Sequence, residues 1–477
     1  MTNNVEGPPA GRVPAHPPDT VWPVIALVCL AQFMMVLDAA IVNVALPAME
    51  SDLGLGTEGL QWAVNAYLLT FAGFLLVGGR MADLWGRRRA FIAGLVVFTI
   101  ASLVGGLATT PGTLIAARAA QGLGAAAVSP ATLTILTTAI PAGPARARAI
   151  ATWGAVGAIG GTAGSLAGGL LTDYLSWRWT LLINVPIGAV AILAALWLLT
   201  ERRAPGTRGL DLAGAIAVTL GLSALELGLL QTPQYGWGSA RALVPLVLGM
   251  VALAVFVLVQ ARFARTPLMP LRILRSRSVS GALLVQFFLG AAGFAVWYFL
   301  SLHMQQVLGY SALQAGLAFL PHTVAVIIAS KATPRLVERF GLRPLLVAGA
   351  LISAAGFAWQ ATITPDSGLL AGIVLPGVLI TGGLGLTSAP IAMAATAGAR
   401  RGEEGAVSGV LNSSRQVGGS LGLAALTTLA ASQAGAPASG YALAFAACAG
   451  LVAAGALSVF ALPGPSTGGG GRAEPAR

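Results

Sequence analysis

Fourteen long apolar stretches recur along this 477-residue chain, and they constrain its fold more than any single motif does. They centre near Phe33, Phe71, Val97, Ala125, Ile159, Ala189, Leu220, Met250, Gly293, Ala325, Ser353, Ile380, Ser420 and Leu451. A helix needs about 20 mainly apolar residues to cross a bilayer. Only 9% of the residues are charged, against about a quarter in a soluble domain. The expected fold is an all-α integral membrane protein with fourteen transmembrane helices and short loops. Residues 1–20 are polar and proline-rich and lack the apolar core of a signal peptide. They, and the glycine-rich residues 464–477, are expected to be disordered cytoplasmic tails. Cys29 and Cys448 both lie in apolar spans, which gives neither a disulfide framework nor a metal spacing.

The net charge of +11 is distributed unevenly. Of 27 Lys and Arg, 23 fall in the N-terminal tail, the even-numbered gaps between spans and the C-terminal tail. The odd-numbered gaps hold only Arg178 and Arg241, and Arg118 and Arg415 lie inside spans. This alternation follows the positive-inside rule, which puts both termini in the cytoplasm. The basic charge is thus a topology signal, and no nucleic-acid partner is expected.

The gap between spans 2 and 3 reads GGRMADLWGRRRAF (Gly78–Phe91), and that between spans 10 and 11 reads TPRLVERFGLRPLL (Thr333–Leu346). Gly79, Asp83, Gly86 and Arg88 match Pro334, Glu338, Gly341 and Arg343 at a constant offset of 255 residues. Each gap follows the second helix of a six-helix set. The chain therefore divides into an N-terminal six-helix bundle (21–200), an inserted helix pair with a cytoplasmic linker (201–278) and a C-terminal six-helix bundle (279–463). The inserted pair is expected to be peripheral. Repeated halves around a midplane site are transporter architecture. The linker from Arg262 to Ser278 carries five arginines and reads as an amphipathic surface segment or as a solvated basic connector.

Charges inside a membrane are costly and are functional candidates by default. Of the 16 acids, only Asp38 and Glu226 lie well inside spans. Asp38 stands nine residues before Pro47, about 13 Å below the outer end of its helix. It is either a proton carrier or a structural partner of Arg118, which enters the fourth span from outside and is long enough to reach it. Glu226, four residues from Leu230, is expected near the outer end of the seventh span, within reach of water. Arg415, in LNSSRQVGG, has three possible partners: Glu226, a carbonyl cluster or an anionic substrate. Gln121, Asn412, Arg415 and His322 are candidates for the substrate path, although buried histidines such as His303 and His322 are more often satisfied core residues. Gly154, Gly157, Gly161, Gly164 and Gly168 recur at intervals of three and four, which gives the fifth span one smooth face for close helix packing. In the Gly78–Phe91 gap, Gly79 permits close approach, Gly86 a tight turn, and Asp83 can accept from a helix N-terminus.

GGRMADLWGRRRAF resembles the corresponding signature of the major facilitator superfamily. LIAARAAQGLGAA (Leu114–Ala126) is similar to its helix 4 signature, and GGTAGSLAGG (Gly160–Gly169) to its antiporter signature in helix 5. LDAAIVNVALP, SWRWTLLINVPIG and LGYSALQAGLAFLP resemble segments of its fourteen-helix drug:proton antiporters. The resemblance implies the major facilitator fold. It also implies a cytoplasmic gate at Gly79, Asp83, Gly86, Arg87 and Arg88, with Asp83 and Arg87 latching the halves when the site faces outward. It makes Gly157, Gly161, Gly164 and Gly168 a switching face in helix 5. The chain departs from the family at Gly164-Ser165, where Gly-Pro is usual, and so lacks a kink-former there.

These readings point to a proton-coupled secondary transporter of the plasma membrane that exports a mostly apolar, drug-like small molecule, with Asp38, Arg118 and Glu226 in proton coupling. A proton-coupled importer of a small organic solute is the nearer alternative, and a polytopic membrane enzyme the more distant one. The only lysine, Lys331, precedes Ala332 in ASKATP, so the chain has no GxxxxGK[ST] loop for a primary pump. Three scattered histidines make no metal cluster. No cofactor and no metal are expected.

Overall fold

The computed structural model describes residues 18–140, 144–201, 211–264, 267–269, 271–397, 404–433 and 437–462, and these contain helices and no strand. The N-terminal helices are α1 (Pro18–Leu53), α2 (Gly56–Trp85), α3 (Arg87–Gly106), α4 (Pro111–Ala139), α5 (Pro144–Tyr174), α6 (Arg178–Leu182) and α7 (Asn184–Leu198). Then come α8 (Leu212–Tyr235) and α9 (Ala240–Leu258). The C-terminal set is α10 (Arg277–Leu302), α11 (Ala312–Ala318), α12 (Leu320–Phe340), α13 (Leu342–Gln360), α14 (Leu375–Ala397), α15 (Glu404–Ala431) and α16 (Pro437–Ser458). Each of the fourteen apolar centres falls within a helix, but the sixth and tenth spans are each divided into two helices, at Ile183 and Phe319. Helix α1 begins at Pro18, inside the stretch expected to be a tail, whereas residues 1–17 and 463–477 lie outside the described residues.

Eleven helical segments among the described residues are long and apolar enough to cross a membrane. The other three centres belong to α2, α5 and α15. Each of these packs on several neighbours, including the opposite half of the molecule. A helix walled in on several sides needs no continuous apolar surface for lipid, which suits the polar run Asn412–Gln416 of α15.

The packing repeats. In the first half α1 packs on α5 and α7, α2 on α4, and α3 on α4 and α7. In the second, α10 packs on α15 and α16, α12 on α14, and α13 on α14 and α16. Gly86, between α2 and α3, and Gly341, between α12 and α13, have φ of +105° and +84°. L side chains rarely adopt this region, so the matched glycines mark the same sharp turn in both repeats.

The inserted helices do not behave alike. Helix α9 packs on α8 and exposes Leu243, Val244, Val247, Leu248, Val251 and Val255. Helix α8 docks on both halves, through α2 and α15. The pair is therefore peripheral only in part.

Hydrogen bonds that join the two halves gather at the end where α1, α5 and α10 finish. Ser301 Oγ donates to the Asn43 carbonyl at 2.8 Å and Gln305 Nε2 to the Val44 carbonyl at 3.0 Å. Gln306 Nε2 donates to Glu50 at 3.1 Å, and the Leu313 N–H to Asp173 at 3.0 Å.

Candidate functional site

Asp38 and Arg118 are both buried, on α1 and α4, where the long Arg side chain spans the difference in depth expected from their positions. Arg118 Nη1 lies 2.6 Å from Asp38 Oδ2. Asp38 Oδ1 accepts from Gln121 Nε2 at 2.9 Å and from Asn184 Nδ2 at 2.7 Å. Arg118 Nε donates to the Ala63 carbonyl on α2 at 3.0 Å, Nη1 also donates to Gln121 Oε1 at 2.9 Å, and the guanidinium stacks 4.5 Å from the Tyr67 ring. Gln121 Nε2 also donates to Ser102 Oγ on α3 at 2.7 Å. Five helices thus converge on one polar network around this carboxylate. A buried ion pair is tolerated when further hydrogen bonds satisfy its remaining valences, and here nearly all are satisfied. The exception is Asn184 Oδ1, buried without a hydrogen-bond partner.

Gln121, expected on the substrate path, is fully buried inside this network. His322 is buried too: its Nε2 lies 3.2 Å from the Ile373 carbonyl, in the π-helical turn Leu369–Val374 that leads into α14. It fills the space a side chain at Gly377 would take, which fits a core histidine. Arg415 is exposed halfway along α15, and its Nη2 donates to Asn412 Oδ1 at 3.2 Å. Glu226 is not near water as expected. Helix α8 continues to Tyr235, so Glu226 lies nine residues from its end, about 13 Å deep. It is fully buried, and Ser420 Oγ donates to its Oε2.

At the expected gate, Gly79 makes only ordinary contact with Pro130. The close approach is at Gly78, where a Cβ would stand 2.1 Å from the Ala126 carbonyl oxygen. Arg88 Nη2 donates to the Leu196 carbonyl at 2.8 Å, within its own half. The N-terminus of α3 is capped from a distance: Glu201 Oε2 accepts from the Arg89 N–H at 3.2 Å. The side chain of Asp83 lies outside the described residues.

The glycine face of α5 packs on α1 beside Asp38. A Cβ on Gly164 would stand 2.6 Å from the Leu37 carbonyl oxygen, and one on Gly168 2.9 Å from that of Ile41. At Gly161 the nearest atom is Val36 Cγ1 at 3.9 Å, and at Gly157 it is Gln32 Nε2 at 3.3 Å. The surroundings of Gly154 lie outside what the structure describes. Gly164→Ala must push backbone and is expected to cost about 1–3 kcal/mol; Gly161→Ala should cost under about 0.5 kcal/mol. Apparent unfolding midpoints of the two purified variants check this, and equal midpoints would contradict it.

The family profile of the Major Facilitator Superfamily matches residues 28–423. The chain belongs to the major facilitator superfamily. It is a multi-pass membrane transporter and not an enzyme. It is 49% identical over 416 residues to the cephamycin export protein CmcT of Amycolatopsis lactamdurans, covering 87% of this chain and 86% of that protein. It is 39% identical to the puromycin resistance protein pur8 of Streptomyces alboniger (86% and 81% covered). With the tetracenomycin C resistance and export protein of Streptomyces glaucescens the identity is 32% (87% and 77% covered). The crystal structure of an auto-inhibited POT family peptide transporter superposes with a TM-score of 0.69 at 16% identity, covering 93% of this chain and 96% of that one. The human organic anion transporter MFSD10 gives 0.62 at 18% identity, covering 94% and 100%. These superpositions confirm the major facilitator fold.

Asn184, Ser102, Tyr67 and Glu201 were not legible as site residues. Asn184 offered one signal: a lone amide in the apolar run LLINVPIG. Ser102 and Tyr67 offered none, because a serine or tyrosine in a transmembrane helix is ordinary. Glu201 is an acid among arginines, where the charge count of its gap conceals it.

Proposed function

We propose that this superfamily member exports a mostly apolar, drug-like antibiotic across the bacterial plasma membrane in exchange for protons, by alternating access. The relatives named for cephamycin export, puromycin resistance and tetracenomycin C export support the antibiotic class. The observation that carries the proton reading is the buried Asp38, held by Arg118, Gln121 and Asn184 inside the N-terminal half.

The network suits both protonation states. Ionised, Asp38 accepts from three side chains and neutralises Arg118. Protonated, it becomes a donor and needs an acceptor. The unpartnered Asn184 Oδ1 becomes one when its amide turns over. Arg118, released from its counter-ion, is then free to change its contacts, and α1 with them. Because α5 rests on α1 through Gly164 and Gly168, a shift at Asp38 passes to the switching face. The open route for substrate is assigned to Asn412 and Arg415; Gln121 and His322 are withdrawn from it.

Fourteen spans with both termini in the cytoplasm fit this reading. The half-to-half hydrogen bonds then close the outer side, and the conformation faces inward. The Asp83–Arg87 latch belongs to the opposite, outward-facing state. Residues 21–200 and 279–463 form the moving halves.

Efflux from preloaded cells, with cephamycin or puromycin as probe, tests the reading. Energised cells should extrude the probe uphill, and a protonophore should abolish that. One charge moving through 100 mV supplies about 2.3 kcal/mol, a gradient of roughly 50-fold. Energised uptake instead of extrusion would establish the importer.

A further inference from the structure

Three helices from three parts of the chain pack on one another: α2 of the first half, α8 of the inserted pair, which carries Glu226, and α15 of the second half. Four buried polar atoms on these three helices have no hydrogen-bond partner: Glu226 Oε1, Asn65 Oδ1, Asn65 Nδ2 and Gln416 Oε1. All three residues are at least 98% buried. Such orphaned groups are rare, because each forgoes the hydrogen bonds that water would supply.

Their placement follows from the helix register. Thr219 Oγ1 on α8 donates to the Gly73 carbonyl on α2 at 2.9 Å. The two helices run in opposite senses, as an even and an odd member of an alternating series. Seven residues up α8 from Thr219 is Glu226, and seven back along α2 from Gly73 is Ala66, so Asn65 and Glu226 stand at one level. Tyr67, Thr70 and Gly78 turn towards α4. Asn65 lies on the other side of the α8-facing stripe, away from α4. Gln416 is one turn below Ser420 on the same face of α15.

We propose that Glu226, Ser420, Asn65 and Gln416 form a second proton site, whose occupancy decides whether α8 stays attached to α15 as the halves move. The inference rests on the proton-coupled reading above but not on Asp38. A neutral Glu226 offers an Oε1–H donor, for which Asn65 Oδ1 and Gln416 Oε1 are the unused acceptors. An ionised Glu226 needs donors, and Asn65 Nδ2 is the unused one. The proton comes from the aqueous phase and returns to it, so no further reactant is involved. Helix α8 is tied to α2 by Thr219 and to α15 by Ser420 and by Thr428, whose Oγ1 donates to the Leu229 carbonyl at 2.9 Å. When the halves rock apart, α8 cannot keep both attachments. With Ser420 as its donor here, an ionised Glu226 is costly at this depth, so ionisation favours the state in which α8 has parted from α15 and water reaches the carboxylate.

Other charges stay clear of Glu226 among the described residues. Arg415 lies five residues from Ser420, well round α15, and bonds Asn412. Arg241 on α9 stacks on Tyr235 at the far end of α8. Asp211 at the near end accepts from the Gly214 N–H and from Gln260, and Arg262 lies beyond α9 at that same end. On α2, Arg80 lies in the last two turns.

The test uses full-length protein in proteoliposomes, with Cys29→Ala and Cys448→Ala removing the native thiols. Leu229→Cys and Thr428→Cys then report α8–α15 contact by disulfide crosslinking rate between pH 5.5 and 8.5. The same pair with Glu226→Gln corrects for thiol ionisation. At acid pH the two rates should agree. At alkaline pH the Glu226 protein should crosslink about tenfold more slowly. Should Glu226→Gln fold poorly, Glu226→Asp reads the same site and should keep the pH dependence with a shifted midpoint. Equal rates at every pH would overturn the proposal, as would a change driven by Na⁺ or K⁺ at fixed pH. Asp38→Asn in this background should leave the effect in place. Its loss there would assign the titration to Asp38, which removes the second site but not the carrier.

Discussion

Asp38→Asn is expected to abolish uphill export while leaving downhill exchange of substrate. The side chain keeps its shape and can still accept on one oxygen, but it has no proton to lose. A carrier that cannot alternate between charged and neutral forms cannot convert a proton gradient into a substrate gradient, since a ligand shifts an equilibrium only by its differential affinity for the two states. The substitution also leaves Arg118 without its counter-ion in a fully buried site. Breaking one side of such a pair costs about 3–5 kcal/mol. Transport must therefore be normalised to folded, reconstituted protein. The measurement is accumulation in proteoliposomes driven by an imposed pH gradient, beside exchange with no gradient. Gradient-driven accumulation by Asp38→Asn at the wild-type rate would refute the carrier role and leave Asp38 as a structural partner of Arg118.

Arg118→Ala is expected to be the more destabilising change. It removes the contacts with Asp38, Gln121 and the Ala63 carbonyl, empties the space over Tyr67 and leaves a buried carboxylate with two amide donors only. The expected cost is again about 3–5 kcal/mol, with lost packing added to it. The double variant Asp38→Asn/Arg118→Gln separates stability from function. Replacing both charges by neutral groups of similar shape is often nearly neutral, so its unfolding midpoint in detergent should recover most of the loss. Its uphill export should not recover. A double variant as unstable as Arg118→Ala would place the site's stability in the precise geometry rather than in charge compensation. One that is stable and still pumps would remove the pair from the mechanism.

Much of the fold was legible in sequence, because its causes are local. An apolar run long enough to span the bilayer, a turn glycine at matched places in two repeats, and arginines confined to alternate gaps each act on a few neighbouring residues. The division of the sixth and tenth spans was not legible, since both sides of each break are apolar and hydropathy cannot see an interruption of helical hydrogen bonding. Gly78 and Gly79 could not be told apart either: only the docking of α4 decides which of two adjacent glycines meets the Ala126 carbonyl.

At the candidate site the sequence by itself determined that Asp38 and Arg118 are buried charges at compatible depths. A charge in an apolar span is conspicuous, and depth follows from helical rise. Tertiary structure alone decided what surrounds them. Asn184 and Gln121 are ordinary polar residues until α7 and α4 bring them to one carboxylate, as is Ser102 until α3 brings it to Gln121. The same holds for Glu226. Its distance from Leu230 suggested water, but the continuation of α8 to Tyr235 and the face of α15 carrying Ser420 place it in the interior. Hydropathy measures how a residue would partition alone. A membrane protein's function depends on which polar groups its helices turn towards one another, and that is set by packing between segments far apart in the chain.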